Sequence, residues 1–175
     1  MARRVQRPEA SDQPDVPAGG EGAHILIIES PYYQAICAEL AAGAVAELEA
    51  AGSTYERIVV SGALEIPQAL AQAVKAGLIG SDDANARFDG CVVLGCVIRG
   101  ETSHYDIVCN NANHWLMHVA VANAIPLGNA ILTVDTEAQA LERARGGRKG
   151  KGADAVRACL AVVAIDRAFA DEEVP

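Results

Sequence analysis

The sequence predicts an α/β fold: a parallel sheet of four core strands with helices on both faces, three layers in all. Short apolar runs alternate with helical periodicity along the chain, the pattern of βα units joined by right-handed crossovers. The 175 residues amount to one domain on a prior of roughly 100 to 200 residues each. Hydrophobic residues make up 51% and charged residues 21%, a globular balance, while aromatics at 4% make the core aliphatic.

Residues 1–22 carry three prolines and three glycines without periodicity and read as a disordered tail; the domain is expected over 23–170, and 171–175 as an acidic end. His24 to Glu29 (HILIIE) is the near-continuous apolar run of a strand buried on both faces. Ser30 as N-cap and Pro31 as first helical residue then open a helix in which Ile36, Leu40, Ala44 and Leu48 recur every four residues, until Gly52 closes it. Tyr55 to Val60 is the second strand. A Ser61-Gly62 turn follows, then a helix entered through Pro67, packing Leu70 and Val74 and ending at Gly77. Asp82 to Asp89 reads as a polar surface connection. Cys91 to Ile98 (CVVLGCVI) is the most apolar strand, Arg99 to His104 a loop, and Tyr105 to about Asn123 a long helix. Leu127 to Val134 is the fourth strand; a helix over Glu137 to Arg145, a basic glycine-rich loop and a last helix from about Ala153 to Phe169 complete the chain.

Composition excludes several function classes. The 14 basic against 23 acidic residues give a net charge of -9, which repels nucleic acid and anionic membrane surfaces. No run approaches the ~18 apolar residues of a membrane span, and the N-terminus lacks the apolar core of a signal peptide. Five cysteines, an odd number without a CxxC pair, fit a reducing cytoplasm. Cys91 and Cys96, five apart on one strand, point to opposite faces and cannot share a metal.

In a parallel sheet ligands sit beyond the carboxyl ends of the strands, here Ser30 to Tyr33, Ser61 to Glu65, Gly100 to His104 and Asp135 to Thr136. Gly95 to Thr102 nearly spells the P-loop pattern, but Glu101 stands in place of its lysine, so a nucleoside triphosphate is a poor fit. A glycine and two hydroxyls at a strand-to-helix junction still suit one small anion, or an ordinary cap by Thr102 or Ser103. Six of the fourteen basic residues (Arg143, Arg145, Arg148, Lys149, Lys151, Arg157) cluster within fifteen positions, to bind a phosphate or simply to face solvent. His104, after the anion loop, is placed to move protons at neutral pH. The first-turn amides after Ser61-Gly62 can pair with a flat polar heterocycle, or Glu65 can serve the helix dipole; Tyr32 and Tyr33 can stack on a ring or cover the sheet edge. His114 and His118 have the spacing of a zinc pair without the glutamate of HExxH or a third ligand.

Four separated motifs, Ser61 to Pro67 (SGALEIP), Leu94 to Asp106 (LGCVIRGETSHYD), Ile131 to Thr133 with Glu142 to Ala144, and Lys151-Gly152, together resemble the 6,7-dimethyl-8-ribityllumazine synthase family over about residues 24–169. The resemblance implies a flavodoxin-like three-layer sandwich that assembles into pentamers or multiples of them, with sites shared between neighbouring subunits. It implies the penultimate reaction of riboflavin biosynthesis, in which 5-amino-6-(D-ribitylamino)uracil condenses with 3,4-dihydroxy-2-butanone 4-phosphate, without cofactor or metal, and it makes riboflavin synthase a candidate partner. By that resemblance Tyr32 stacks on the pyrimidine; Ala63, Leu64 and Glu65 lie along the ring and ribityl chain. Gly100, Glu101 and Thr102 line the phosphate site, Arg143 of an adjoining subunit neutralises the phosphate with Lys151 nearby, and His104 shuttles protons. Pro31-Tyr32-Tyr33 replaces the Arg-Phe-Asn of many members, and Asn129 stands where some place a neighbour's phenylalanine. Glu101 replaces a smaller uncharged residue and is expected to point to solvent. A non-catalytic flavin or lumazine binder on the same fold is the alternative, and a metal hydrolase would rest on His114 and His118 alone.

Overall fold

The computed structural model describes residues 19–80 and 86–172. Along the chain come β1 (His24–Glu29), α1 (Gln34–Ala50), β2 (Thr54–Val59), α2 (Glu65–Lys75), β3 (Gly90–Ile98), α3 (His104–Ala122), β4 (Leu127–Val134), α4 (Glu137–Ala144) and α5 (Lys151–Glu172), with a 3₁₀ turn at Gly147–Lys149 before α5. The strands pair in the order β2-β1-β3-β4, every pair parallel.

Strand alternation divides the core. Ile25 and Ile27 of β1 face the layer of α1, α4 and α5, where Leu40, Leu48, Ala140 and Val156 pack. Leu26 and Ile28 face α2 and α3, meeting Ile66, Leu70, Ala112 and Leu116. Cys91 and Cys96 fall into opposite clusters, as their spacing requires. The resulting three-layer sandwich is the one the sequence predicts.

Backbone contacts fix where α5 lies. A Cβ on Gly152 would come 1.9 Å from the Leu40 carbonyl oxygen, and one on Gly128 would come 1.9 Å from that of Ala155. Only glycine allows α5 to rest on both α1 and β4 at that separation.

Several boundaries differ from expectation. Ser30 does not cap α1 and Pro31 is not helical: the Ser30 amide donates to the Leu94 carbonyl at 2.9 Å, prolonging sheet pairing, and the first helical bond runs from the Cys37 amide to the Tyr33 carbonyl. Residues 30–33 are therefore a loop at the end of β1. The last helix begins at Lys151 rather than about Ala153, which moves Lys151 out of the basic loop. The connection before β3 is not wholly polar surface, since Phe88 is buried and stacks on His24 with centroids 5.0 Å apart. The expected tail falls largely in 1–18 and the acidic end partly in 173–175, outside the described residues, as are 81–85 of the connection.

The connections after β1 and β3, which are neighbours, leave in opposite directions: α1 leads outward to β2, while α3 leads to β4. A crevice opens beyond the carboxyl ends at such a point.

Candidate active site

A cleft of about 360 Å³ occupies that crevice. Tyr32 and Tyr33 close it from β1, Gly62 to Glu65 from β2, and Cys96 to Ile98 form its floor; Gly100, Thr102, His104, Tyr105 and Val108 complete the wall. Of the predicted site residues it thus gathers Tyr32, Ala63, Leu64, Glu65, Gly100, Thr102 and His104.

Each is placed by local structure. Tyr32 is 73% exposed and meets Tyr33 edge-on, ring centroids 5.1 Å apart, so one ring face is left open. Burial, reinforced by the neighbouring Tyr32, Cys96 and Glu137, pushes the Tyr33 hydroxyl up and keeps it a donor at neutral pH. Ser61 Oγ donates to Glu65 Oε2 at 3.2 Å, folding the carboxylate back over Gly62, where a Cβ would stand 2.8 Å from the same oxygen. The amides of Glu65 and Ile66 bond within this turn, to the carbonyls of Gly62 and Ala63, and are not free for a ring as the motif alone suggests.

The β3–α3 loop differs in kind. A Cβ on Gly100 would meet nothing within 4 Å, so no contact within the chain requires glycine there, and the backbone lies bare on the cleft wall. Ser103 holds the N-cap position of α3 without a side-chain cap; the Thr102 hydroxyl accepts from the His104 amide at 3.4 Å. The first turn of a 19-residue helix, its positive end, thus borders the cleft. His104 is the first residue of α3 and exposed. Burial pushes the Cys96 thiol up to about 12, which makes it an inert wall rather than a nucleophile.

Four predicted residues stand outside the cleft lining, which contains no lysine or arginine among the described residues. Glu101 is exposed, as expected. Asn129 Nδ2 donates to Asn113 Oδ1 at 2.7 Å while its Oδ1 accepts from the Ile131 amide at 2.8 Å, so the amide bridges β4 and α3. Arg143, in the last turn of α4, is exposed and donates to the Gln139 carbonyl at 2.9 Å. Lys151 Nζ pairs with Asp154 at 2.9 Å. The rest of the basic cluster also divides: Arg148 and Arg157 reach the buried Glu47 of α1 at 2.8 and 2.9 Å. His114 and His118 each meet Trp115 edge-on, at 5.2 and 5.4 Å.

Sequence reasoning missed Cys96, Val97, Ile98, Tyr105 and Val108. Spacing could have found two kinds of these: Val108 lies one turn after His104 on the same helix face, and the last residues of β3 must reach the strand's carboxyl end.

The sequence matches the family model of 6,7-dimethyl-8-ribityllumazine synthase over residues 22–167. It is 51% identical over 146 residues to the 6,7-dimethyl-8-ribityllumazine synthase of Azorhizobium caulinodans, covering 83% of this chain and 88% of that one. Against the protein of the same name from Methylocella silvestris it is 52% identical over 146 residues, 83% and 87% of the two chains. With 6,7-dimethyl-8-ribityllumazine synthase 1 of Rhodopseudomonas palustris it shares 45% over 166 residues, 95% and 97% of the two chains. A match of this extent, over a fold and motifs that agree with it, means that the chain belongs to the 6,7-dimethyl-8-ribityllumazine synthase family.

Proposed function

We propose that the protein condenses 5-amino-6-(D-ribitylamino)uracil with 3,4-dihydroxy-2-butanone 4-phosphate to 6,7-dimethyl-8-ribityllumazine, releasing phosphate and two waters, as the penultimate step of riboflavin biosynthesis. The observation that carries this reading beyond family membership is the single cleft that gathers an open aromatic face, a ring-and-chain wall at Ala63 to Glu65, a bare anion loop and a histidine.

The chemistry asks little of the protein beyond placement. The pyrimidine's 5-amine attacks the ketone and loses water to an imine; phosphate leaves; tautomerisation and attack by the ribitylamino nitrogen close the ring with loss of the second water. The substrates supply nucleophile and leaving group, so positioning and one proton shuttle suffice. Tyr32 stacks on the pyrimidine, Glu65 accepts ribityl hydroxyls, and the Gly100 to Thr102 backbone holds the phosphate at the helix end. His104 carries the protons. A dianion bound without a cation is poorly neutralised, and the cleft wall has none among the described residues. Arg143, exposed on α4, supplies the charge from an adjoining subunit, with Lys151 close by and Asn129 at the boundary, in a pentamer or a multiple of pentamers. The five free cysteines fit a reducing, cytoplasmic location; no described helix is long and apolar enough to cross a membrane.

Mixing the two substrates with the protein should produce lumazine fluorescence and stoichiometric phosphate. His104→Ala should lower turnover about tenfold to a hundredfold with little change in pyrimidine affinity, the low end of the range for a placed proton carrier. No product from the unmodified protein would sink the proposed reaction; full turnover in the variant from about pH 5 to about pH 9 would remove His104 from it.

A further inference from the structure

Arg99 sits between two cleft residues yet does not line the cleft. Its side chain runs instead to Tyr105 and Asp106 of α3 and to Asp135 beyond β4. Its backbone is rigid, because its amide donates to the Val134 carbonyl at 2.9 Å and extends the β3–β4 pairing by one residue. From that base the guanidinium makes three contacts. Nε donates to Asp135 Oδ1 at 3.1 Å, beyond the end of β4. The two terminal nitrogens reach both carboxylate oxygens of Asp106, at 3.3 and 3.5 Å. The guanidinium carbon lies 4.0 Å from the centroid of the Tyr105 ring.

Tyr105 and Asp106 are the two residues directly after His104. Besides this fork the turn is held by the Asp106 and Ile107 amides on the Ser103 carbonyl and by the Tyr105 side chain on Thr133; Ser103 gives no side-chain cap and Thr102 makes one long bond. We infer that Arg99 is a positioning residue for the proposed reaction, clamping the first turn of α3 to the ends of β3 and β4 and so fixing where the His104 ring stands in the cleft. The inference rests on His104 being the proton carrier. A planar fork is the group that can bridge two carboxylates and stack on a ring at once; a lysine ammonium can meet one carboxylate and do neither of the other things well. A displacement of about 1 Å at a reacting group can cost on the order of a hundredfold in rate. The clamp is half exposed, so its worth lies in direction rather than in stability.

The test is a double-mutant cycle read in kcat and in KM for each substrate. Arg99→Ala should lower kcat about tenfold with both KM values within about twofold, and Arg99→Lys should recover part of the loss. On a His104→Ala background the same Arg99→Ala change should cost less than about twofold, because a clamp acting through the imidazole has nothing left to place. Asp135→Asn, which cuts one arm and spares Tyr105, should show the same His104-dependent loss in a milder form, and melting curves establish that each variant is folded. Equal losses with and without His104 would overturn the inference, as would an Arg99→Ala variant with normal kcat beside a slow His104→Ala variant. If His104→Ala alone is fully active, the proton-carrier reading falls and the inference with it; the first two outcomes leave that reading intact.

Discussion

The cleft and the basic segment at 143–157 both look like phosphate sites in sequence, and the fold treats them in opposite ways. In the cleft the groups have few partners of their own: Tyr32 is open, a Cβ on Gly100 would meet nothing within 4 Å, and Ser103 gives the start of α3 no side-chain cap. In the basic segment three of the six cations are already engaged. Arg148 and Arg157 together hold the carboxylate of Glu47, and Lys151 holds Asp154. Arg143 differs, its side chain bonded to a carbonyl of its own helix, and Arg145 and Lys149 are exposed beside it. A run of six basic residues is thus three cations in structural pairs and three exposed ones, Arg143, Arg145 and Lys149. Local charge density does not identify a binding residue; the absence of an internal counter-ion only narrows the choice.

That division can be broken most forcefully at Arg143. Arg143→Ala should weaken the phosphorylated substrate about tenfold to a hundredfold, the equivalent of a charge-assisted bond of about 1.5 to 3 kcal/mol, while the pyrimidine is nearly unaffected. Steady-state KM values for both substrates decide this, and equal loss for both would return Arg143 to the structural group.

Glu47 tests the other half. Burial by itself pushes its carboxyl up, but hydrogen bonds from Arg148 and then Arg157 outweigh that and hold it below its ordinary value near 4.5. A depressed folded-state pKa contributes stability that is present above the unfolded value and is lost as pH falls through the folded one. Glu47→Gln should therefore lower stability at pH 7 by about 1.5 to 3 kcal/mol and flatten the acid limb of the stability curve, without altering either KM. Denaturant titrations between pH 3 and 7, roughly spanning the carboxylate range, check both points.

Lys151 should show the smallest effect. Its i,i+3 pair with Asp154 is half exposed, worth about 0 to 1 kcal/mol to the fold, and Lys151→Ala should raise the KM of the phosphorylated substrate by no more than about threefold. A loss as large as that of Arg143→Ala would promote Lys151 to a direct phosphate contact.

Much of this is legible in the chain. The HILIIE and CVVLGCVI runs mark two neighbouring inner strands because only residues buried on both faces can be continuously apolar, and the carboxyl ends of those runs point to the cleft. The helix starts are less so. Ser30 has the side chain of a cap, but a sheet bond to Leu94 claims its backbone first, a long-range contact that no local pattern announces. The sorting of the cations is hidden for the same reason. Arg148 meets Glu47 across a separation of 101 residues, through an α1–α5 approach that Gly152 permits and that its neighbours in sequence do not encode.

The central claim is that one chain supplies the cleft and another the cation, and complementation measures it directly. His104→Ala and Arg143→Ala chains, each slow alone when the phosphorylated substrate is kept well below the KM of the unmodified protein, should be co-expressed with separable tags and the mixed oligomers purified and assayed at that concentration. If sites are split between chains, random mixing pairs an intact His104 with an intact neighbouring Arg143 at about a quarter of the sites. The account predicts turnover near a quarter of the unmodified protein's at that low concentration of the phosphorylated substrate. Turnover no higher than the average of the two parents would contradict it and place both residues on one chain or Arg143 outside the site.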